Sequence, residues 1–220
     1  MTKKKLILCQ PDDKKGCSLC CGLFNHRNIS KENLTAFLHD GEKRRQSLQS
    51  HENWKEPDQV RDISAHICPY QGFLKNGKPG CLIHPLFINK DERNRSLFSA
   101  QICDKFLCPA HEILSMEEKQ ALISNVDDWH LYSTAIADPY SFSILYEACR
   151  DIAQGKLNKS LLNYGLLLHS KNLQNYDGDI FFYSLPEYKQ NCKEFSLKYR
   201  REIFQEIFKE ILQFYNSKMY

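Results

Sequence analysis

Eight of the ten cysteines in this chain fall at or before residue 108: Cys9, Cys17, Cys20, Cys21, Cys68, Cys81, Cys103 and Cys108. Three of them crowd into "GCSLCCGLFNH", which begins at Gly16. Cysteines in such density form disulfides, attack as nucleophiles, or hold a metal as thiolates. Soft sulfur ligands suit zinc or an iron–sulfur cluster, a [4Fe–4S] cluster included, far better than hard cations. Cys17-x2-Cys20 has the spacing at which a tight turn presents two sulfurs to one metal. Adjacent Cys20 and Cys21 cannot easily aim at the same centre without strain, so each serves a different metal or one bridges. Eight thiolates match two four-sulfur centres, or one four-cysteine centre with structural or redox cysteines beside it, and spacing leaves both open. His84 in "CLIH" and His111 in "CPAH" follow a cysteine at ligand spacing and are candidates to replace a sulfur in a Cys3His zinc site. His26 and His66 read as ordinary core or surface histidines. Cys149 and Cys192 stand alone in helical segments and read as small core residues.

The compartment decides between disulfide and metal. The apolar run in "MTKKKLILCQPDD" is only Leu6, Ile7 and Leu8, too short for a secretory signal, and Leu8 is too bulky for a lipoprotein signal. No stretch approaches the roughly 20 apolar residues of a membrane span. The expectation is therefore a cytoplasmic protein, where reducing thiol pools disfavour structural disulfides. The net charge of +3 is too small to call for nucleic acid. It is unevenly shared: up to Cys108 there are 18 basic against 12 acidic residues, and afterwards 12 against 15. An excess of +6 in the cysteine half suits thiolate charge that needs balancing, and suits a solvated surface equally well.

The elements that must position the cysteines differ between the two halves. Residues 1–28 show little periodicity, as expected of a loop shaped by something other than an apolar core. "SKENLTAFLHDG" predicts a short helix capped by Ser30, and residues 42–64 a polar segment anchored by Trp54. Between His66 and His84, Asn76-Gly77 marks a hairpin whose facing strands would carry Cys68 and Cys81. Pro85 to Ala100, polar and basic, reads as a surface loop. Beyond it Ser115 and Glu118 form a capping-box signature. Further helices are expected over about 128–153, with a break at Asp138-Pro139, then 159–172 and 187–216. The last carries Tyr199, Ile203, Ile207, Ile211 and Tyr215 every four residues, flanked by Phe204, Phe208 and Leu212. The fold class is thus mainly α with a small irregular, β-hairpin cysteine region. Residues 1–112 form a cysteine-rich metal-binding region, and 113–220 a helical region packed on it as one unit.

The order Cys9, Cys17-x2-Cys20-Cys21-Gly22, "CPY" at Cys68, "CLIH" at Cys81 and the Cys103/Cys108 pair resembles the YkgJ-like cysteine-cluster family, taken to chelate zinc or iron through a CxxCxxCC signature. The resemblance covers about residues 9–110. Position 14, where the first cysteine of the signature would fall, is Lys14, so Cys9 must stand in from further away. The Cys81 to Cys103 gap is also longer than in compact members. The same cysteine domain occurs in flagellin lysine-N-methylases, which implies as an alternative an S-adenosylmethionine-dependent enzyme with a protein substrate.

The leading expectation is a metal-binding protein that holds zinc or an iron–sulfur cluster through these eight cysteines, with a helical half as support or partner surface. The alternatives are that methylase-type enzyme and a thiol redox or metal-transfer protein. No glycine-rich loop offers a Rossmann-type cofactor site, and no serine sits in a nucleophile elbow. Asp12-Asp13, Glu117-Glu118 and Asp127-Asp128 read as surface or capping pairs. "KKK" at Lys3 and "KRR" at Lys43 read as solvated charge. No catalytic or organic-cofactor residue is assigned.

Overall fold

A computed structural model describes residues 6–48, 53–55, 60–61, 65–176 and 178–219, with backbone alone over 192–202 and at 219. Helices dominate, joined by one two-stranded antiparallel sheet. Helix α1 (Lys31–His39) begins where the Ser30 hydroxyl accepts the Asn33 amide at 3.3 Å, and it buries Leu34 and Leu38. Helix α2 (Gly41–Ser47) follows after Asp40 alone. Its Arg44 turns inward, donating to Phe37 O at 2.6 Å and Gln71 O at 3.1 Å, with the guanidinium over the Phe37 ring. The "KRR" run is therefore not uniformly solvated, because three backbone carbonyls need a donor there and Arg44 supplies it.

Strands β1 (Gln71–Phe73) and β2 (Pro79–Cys81) pair with Gln71 opposite Cys81, and Gly77 takes the positive φ of 79° that the turn requires. Cys68 is not on the facing strand as expected. Pro69 lacks an amide donor and sits with Tyr70 in a turn, so the ladder starts only at Gln71. The segment after β2 is likewise more than a surface loop. It contains α3 (Pro85–Ile88), a 3-10 turn at Arg93–Arg95, and the start of α4 (Ser99–Lys105). Arg93 is only 4% exposed, which is tolerable because Asp91 and Asp104 grip its guanidinium at 2.7 and 2.6 Å. A short α5 (Ala110–Ile113) closes this half.

The second half follows its caps. Helix α6 (Met116–Asn125) opens on the reciprocal Ser115/Glu118 capping box, and α7 (Trp129–Ala137) on Asp128, whose carboxylate accepts two amides. The helix breaks at Asp138, since Pro139 cannot donate and instead begins α8 (Pro139–Ile152). Helix α9 (Lys159–Gln174) and the long α10 (Leu185–Met219) pack against α8. On α10, Phe204, Ile207 and Ile211 are buried, Ile203 and Tyr215 lie at the edges, and Phe208 and Leu212 face outward. The side chains of Cys192 and Tyr199 lie outside the described residues.

One apolar core runs across the boundary at residue 112, joining Leu8, Leu19 and Phe24 to Leu122, Phe142 and Ile211. Arg61 adds a polar staple from the first half to the second, donating to Tyr176 O at 2.5 Å and Gly178 O at 2.8 Å. Among the described residues, no helix is long and apolar enough to cross a membrane. Inside the helical half, Asp138 caps α8 through the Ser141 amide, accepts the Tyr188 hydroxyl at 3.1 Å, and faces His169 Nε2 at 3.3 Å. Burial pushes this carboxyl up, but His169 and Ser141 together hold it below its ordinary value of 3.8. Its contribution to stability is therefore complete above that value and is lost as pH falls through the lower native one. Asp138→Asn is expected to cost about 2–4 kcal/mol at pH 7 in denaturant unfolding, with the difference from wild type shrinking below about pH 4.

Candidate metal centre

Seven of the eight cysteines line a single cavity of about 420 Å³; the eighth, Cys108, is buried close enough to Cys9 and Cys20 for their charge to act on it. No single sheet or helix carries them all. Backbone hydrogen bonds between loops do that work. The Cys17 amide donates to Cys9 O at 3.0 Å, which brings the distant Cys9 against the start of the "CSLCC" segment. Leu19–Cys21 then forms one turn of 3-10 helix, with Leu19 in the core and Cys20 and Cys21 toward the cavity. The turn ends on Gly22 at φ 81°, where an added Cβ would lie 1.9 Å from His66 O. That close approach lets the Cys68 amide reach Cys21 O at 2.8 Å. Buried Gln71 completes the join, its amide nitrogen donating to Cys21 O and Cys68 O, each at 3.0 Å.

Cys81 arrives on β2, opposite Gln71. Cys103 arrives on α4, which Arg93 holds through Asp104, the residue next to it. Ser96 lies within hydrogen-bonding reach of Cys103. Phe98, Phe106 and Tyr183 form an aromatic wall, with ring centroids 5.7 and 6.1 Å from Tyr183. At the rim, Leu86 is 78% exposed and Ile102 52% exposed.

The thiols are electrostatically coupled. The hydrogen bond from Cys17, aided by nearby His111, holds the Cys9 thiol below the usual thiol range against its burial, while the same bond and burial raise Cys17. In a second pair, Cys21 and nearby His66 lower Cys68, whereas hydrogen bonding to Cys20 and Cys68 raises Cys21. Burial pushes Cys81 and Cys108 up to about 12. These are thiols that share protons when no metal replaces them, and metal binding would release those protons.

Each of the two candidate histidine ligands has one ring nitrogen engaged by a backbone amide. His111 Nε2 accepts the Leu8 amide at 3.0 Å, so in the neutral ring Nδ1 bears the proton, 3.4 Å from Cys108 Sγ. It is placed to donate to the Cys108 sulfur. His84 Nδ1 accepts the Leu86 amide and caps α3, while burial and adjacent Arg93 lower its pKa. His66 was the less conspicuous residue, yet it stands beside Cys68, two positions along the chain. Gln71 and Arg93 carry no local signal of their roles, since one depends on hairpin register and the other on the position of α4.

The donor set is chemically one-sided. Among the described residues lining the cavity there are seven thiols and no carboxylate, which fits zinc or an iron–sulfur cluster and gives calcium or magnesium nothing to bind. Among the described residues, no three His, Cys, Asp or Glu side chains converge at the spacing of a single ion. The thiols surround a space. No family model, curated protein or solved structure matches the chain, so the likeness to the YkgJ-like family rests on the cysteine pattern.

Two outcomes follow from this geometry. Gly22→Ala is expected to destabilise by at least about 2 kcal/mol, because both the backbone contact and the positive φ oppose it, whereas Gly77→Ala meets no atom within 4 Å and should cost about 1 kcal/mol. In the metal-free protein at pH 7, iodoacetamide should label Cys9 at least about tenfold faster than fully buried Cys149, as read by peptide mass spectrometry.

Proposed function

We propose that the cysteine chamber is a metal site and that its thiolates hold zinc or an iron–sulfur cluster. The observation that carries this is the gathering of seven cysteines from five separate chain segments around one cavity without a carboxylate. Ordinary core packing gives no reason to collect thiols in that way, and mutual repulsion of thiolates opposes it unless a cation is present. Cys9, Cys17, Cys20, Cys21, Cys68 and Cys81, with Cys103 and Cys108, would supply the ligands. Zinc would supply a fixed cross-link, and a cluster would add one-electron chemistry. His111 and His66, beside Cys108 and Cys68, would tune the sulfurs by donating hydrogen bonds.

A second reading is thiol exchange. The Cys9–Cys17 and Cys21–Cys68 pairs are already in side-chain hydrogen-bond contact, the proximity that disulfide chemistry needs. Anaerobic purification with metal and sulfide analysis and a visible spectrum separates the two. Iron with acid-labile sulfide and a brown colour, or stoichiometric zinc without colour, is expected. A folded, metal-free protein whose thiols cycle reversibly with an added disulfide would favour exchange and sink the metal reading.

A further inference from the structure

The thiols of the chamber stand around its space without filling it. Among the described residues, no three His, Cys, Asp or Glu side chains converge at the spacing of an ion, and the cavity measures about 420 Å³. That volume lies within the range of small-molecule sites, roughly 300–1,000 Å³. Much of the remaining lining is apolar and aromatic. The rings of Phe98 and Phe106 are tilted by 47° and 59° to that of Tyr183, and all three are half-buried, so each keeps part of its surface uncovered. The apolar surface continues outward. Leu86 and Phe87 on α3 and Ile102 on α4 line the same cavity while being 78%, 36% and 52% exposed. A lone exposed leucine would call for no explanation, but apolar side chains gathered at the mouth of a cavity mark a binding site.

The lining also selects the charge of a guest. Arg93 is its fixed cation, and Asp91 and Asp104, from outside the lining, already grip the guanidinium at 2.7 and 2.6 Å. An organic anion therefore meets no free partner, and among the described lining residues no carboxylate awaits an organic cation. What the walls offer is polarisable sulfur beside aromatic carbon, a surface that gains from contact with another aromatic ring.

We propose that the chamber is also a binding site for an uncharged aromatic small molecule, which enters past Leu86 and Ile102 and rests against Phe98, Phe106 and Tyr183. The proposal stands on the walls and not on the metal reading, because none of these side chains is among the ligands named above.

The probe is the neutral fluorescent naphthalene prodan, titrated into the wild-type chain as purified, with metal measured on the same sample. One saturable site per chain with blue-shifted emission is expected, and 2-naphthalenesulfonate should bind at least about tenfold more weakly. Leu86→Glu and Ile102→Glu, checked for folding by circular dichroism, should each weaken prodan binding at least about tenfold. Leu167→Glu, on the exposed face of α9 and outside the cavity, should leave it unchanged. The absence of saturable binding to the wild type, or equal binding by all three variants, would overturn the site; equal or tighter binding of the sulfonate would overturn the ligand class. Metal-free protein that binds prodan in an Ile102-dependent way sinks the metal reading alone, and metal-loaded protein that binds none sinks this proposal alone.

Discussion

Everything around the chamber depends on the contact between the Leu19–Cys21 turn and the segment before β1. Cys68 donates to Cys21 O at 2.8 Å across a gap narrow enough that Gly22 can carry no side chain. Without that approach the hairpin with Cys81 would have no fixed relation to the Cys17–Cys21 segment. Gln71 makes the contact rigid because its single amide nitrogen spans both carbonyls, and Arg44 holds Gln71 O from the other side. A loop cluster with little sheet or helix of its own thus gains order from shared backbone acceptors.

The helical half contributes by buttressing. Tyr132 on α7 holds Leu8 in place, and through it the arm bearing Cys9, while Arg61 reaches across to the carbonyls after α9. The common apolar core places Leu8 and Leu19 against residues of the helices, so the chamber's inner wall is also the surface of the bundle. At the rim, by contrast, Leu86 of α3 and Ile102 of α4 stand exposed.

The basic excess of the cysteine half has a use that composition did not suggest. Arg44 and Arg93 are turned inward as clamps on backbone and carboxylates, and buried Lys15 pairs with Asp12 at 3.6 Å and Asp127 at 3.2 Å. Lys78 donates to Asp12 O. These cations join loops that lack regular hydrogen bonding, so much of the charge serves architecture. A side chain's sign is visible in sequence, but whether it points to solvent is a matter of which carbonyls lie unsatisfied nearby.

Local chemistry was legible without a structure. The caps at Ser30, Ser115 and Asp128, the break at Pro139 and the Asn76-Gly77 turn each act within a few residues, so their elements form where the sequence indicates. The clustering of cysteines before residue 109 likewise foretold a gathering of thiols, seven of which line one cavity. Features that couple distant segments were not legible. Cys68 fell outside the strand because Pro69 delayed the ladder, one ring nitrogen each of His84 and His111 accepts a backbone amide, and Gln71, Arg93 and His66 acquired their roles only from neighbours brought by the fold. Residue type and spacing determine which thiols a chain offers; only the tertiary structure decides which of them face one another, because that depends on hydrogen bonds closed between residues up to 124 positions apart.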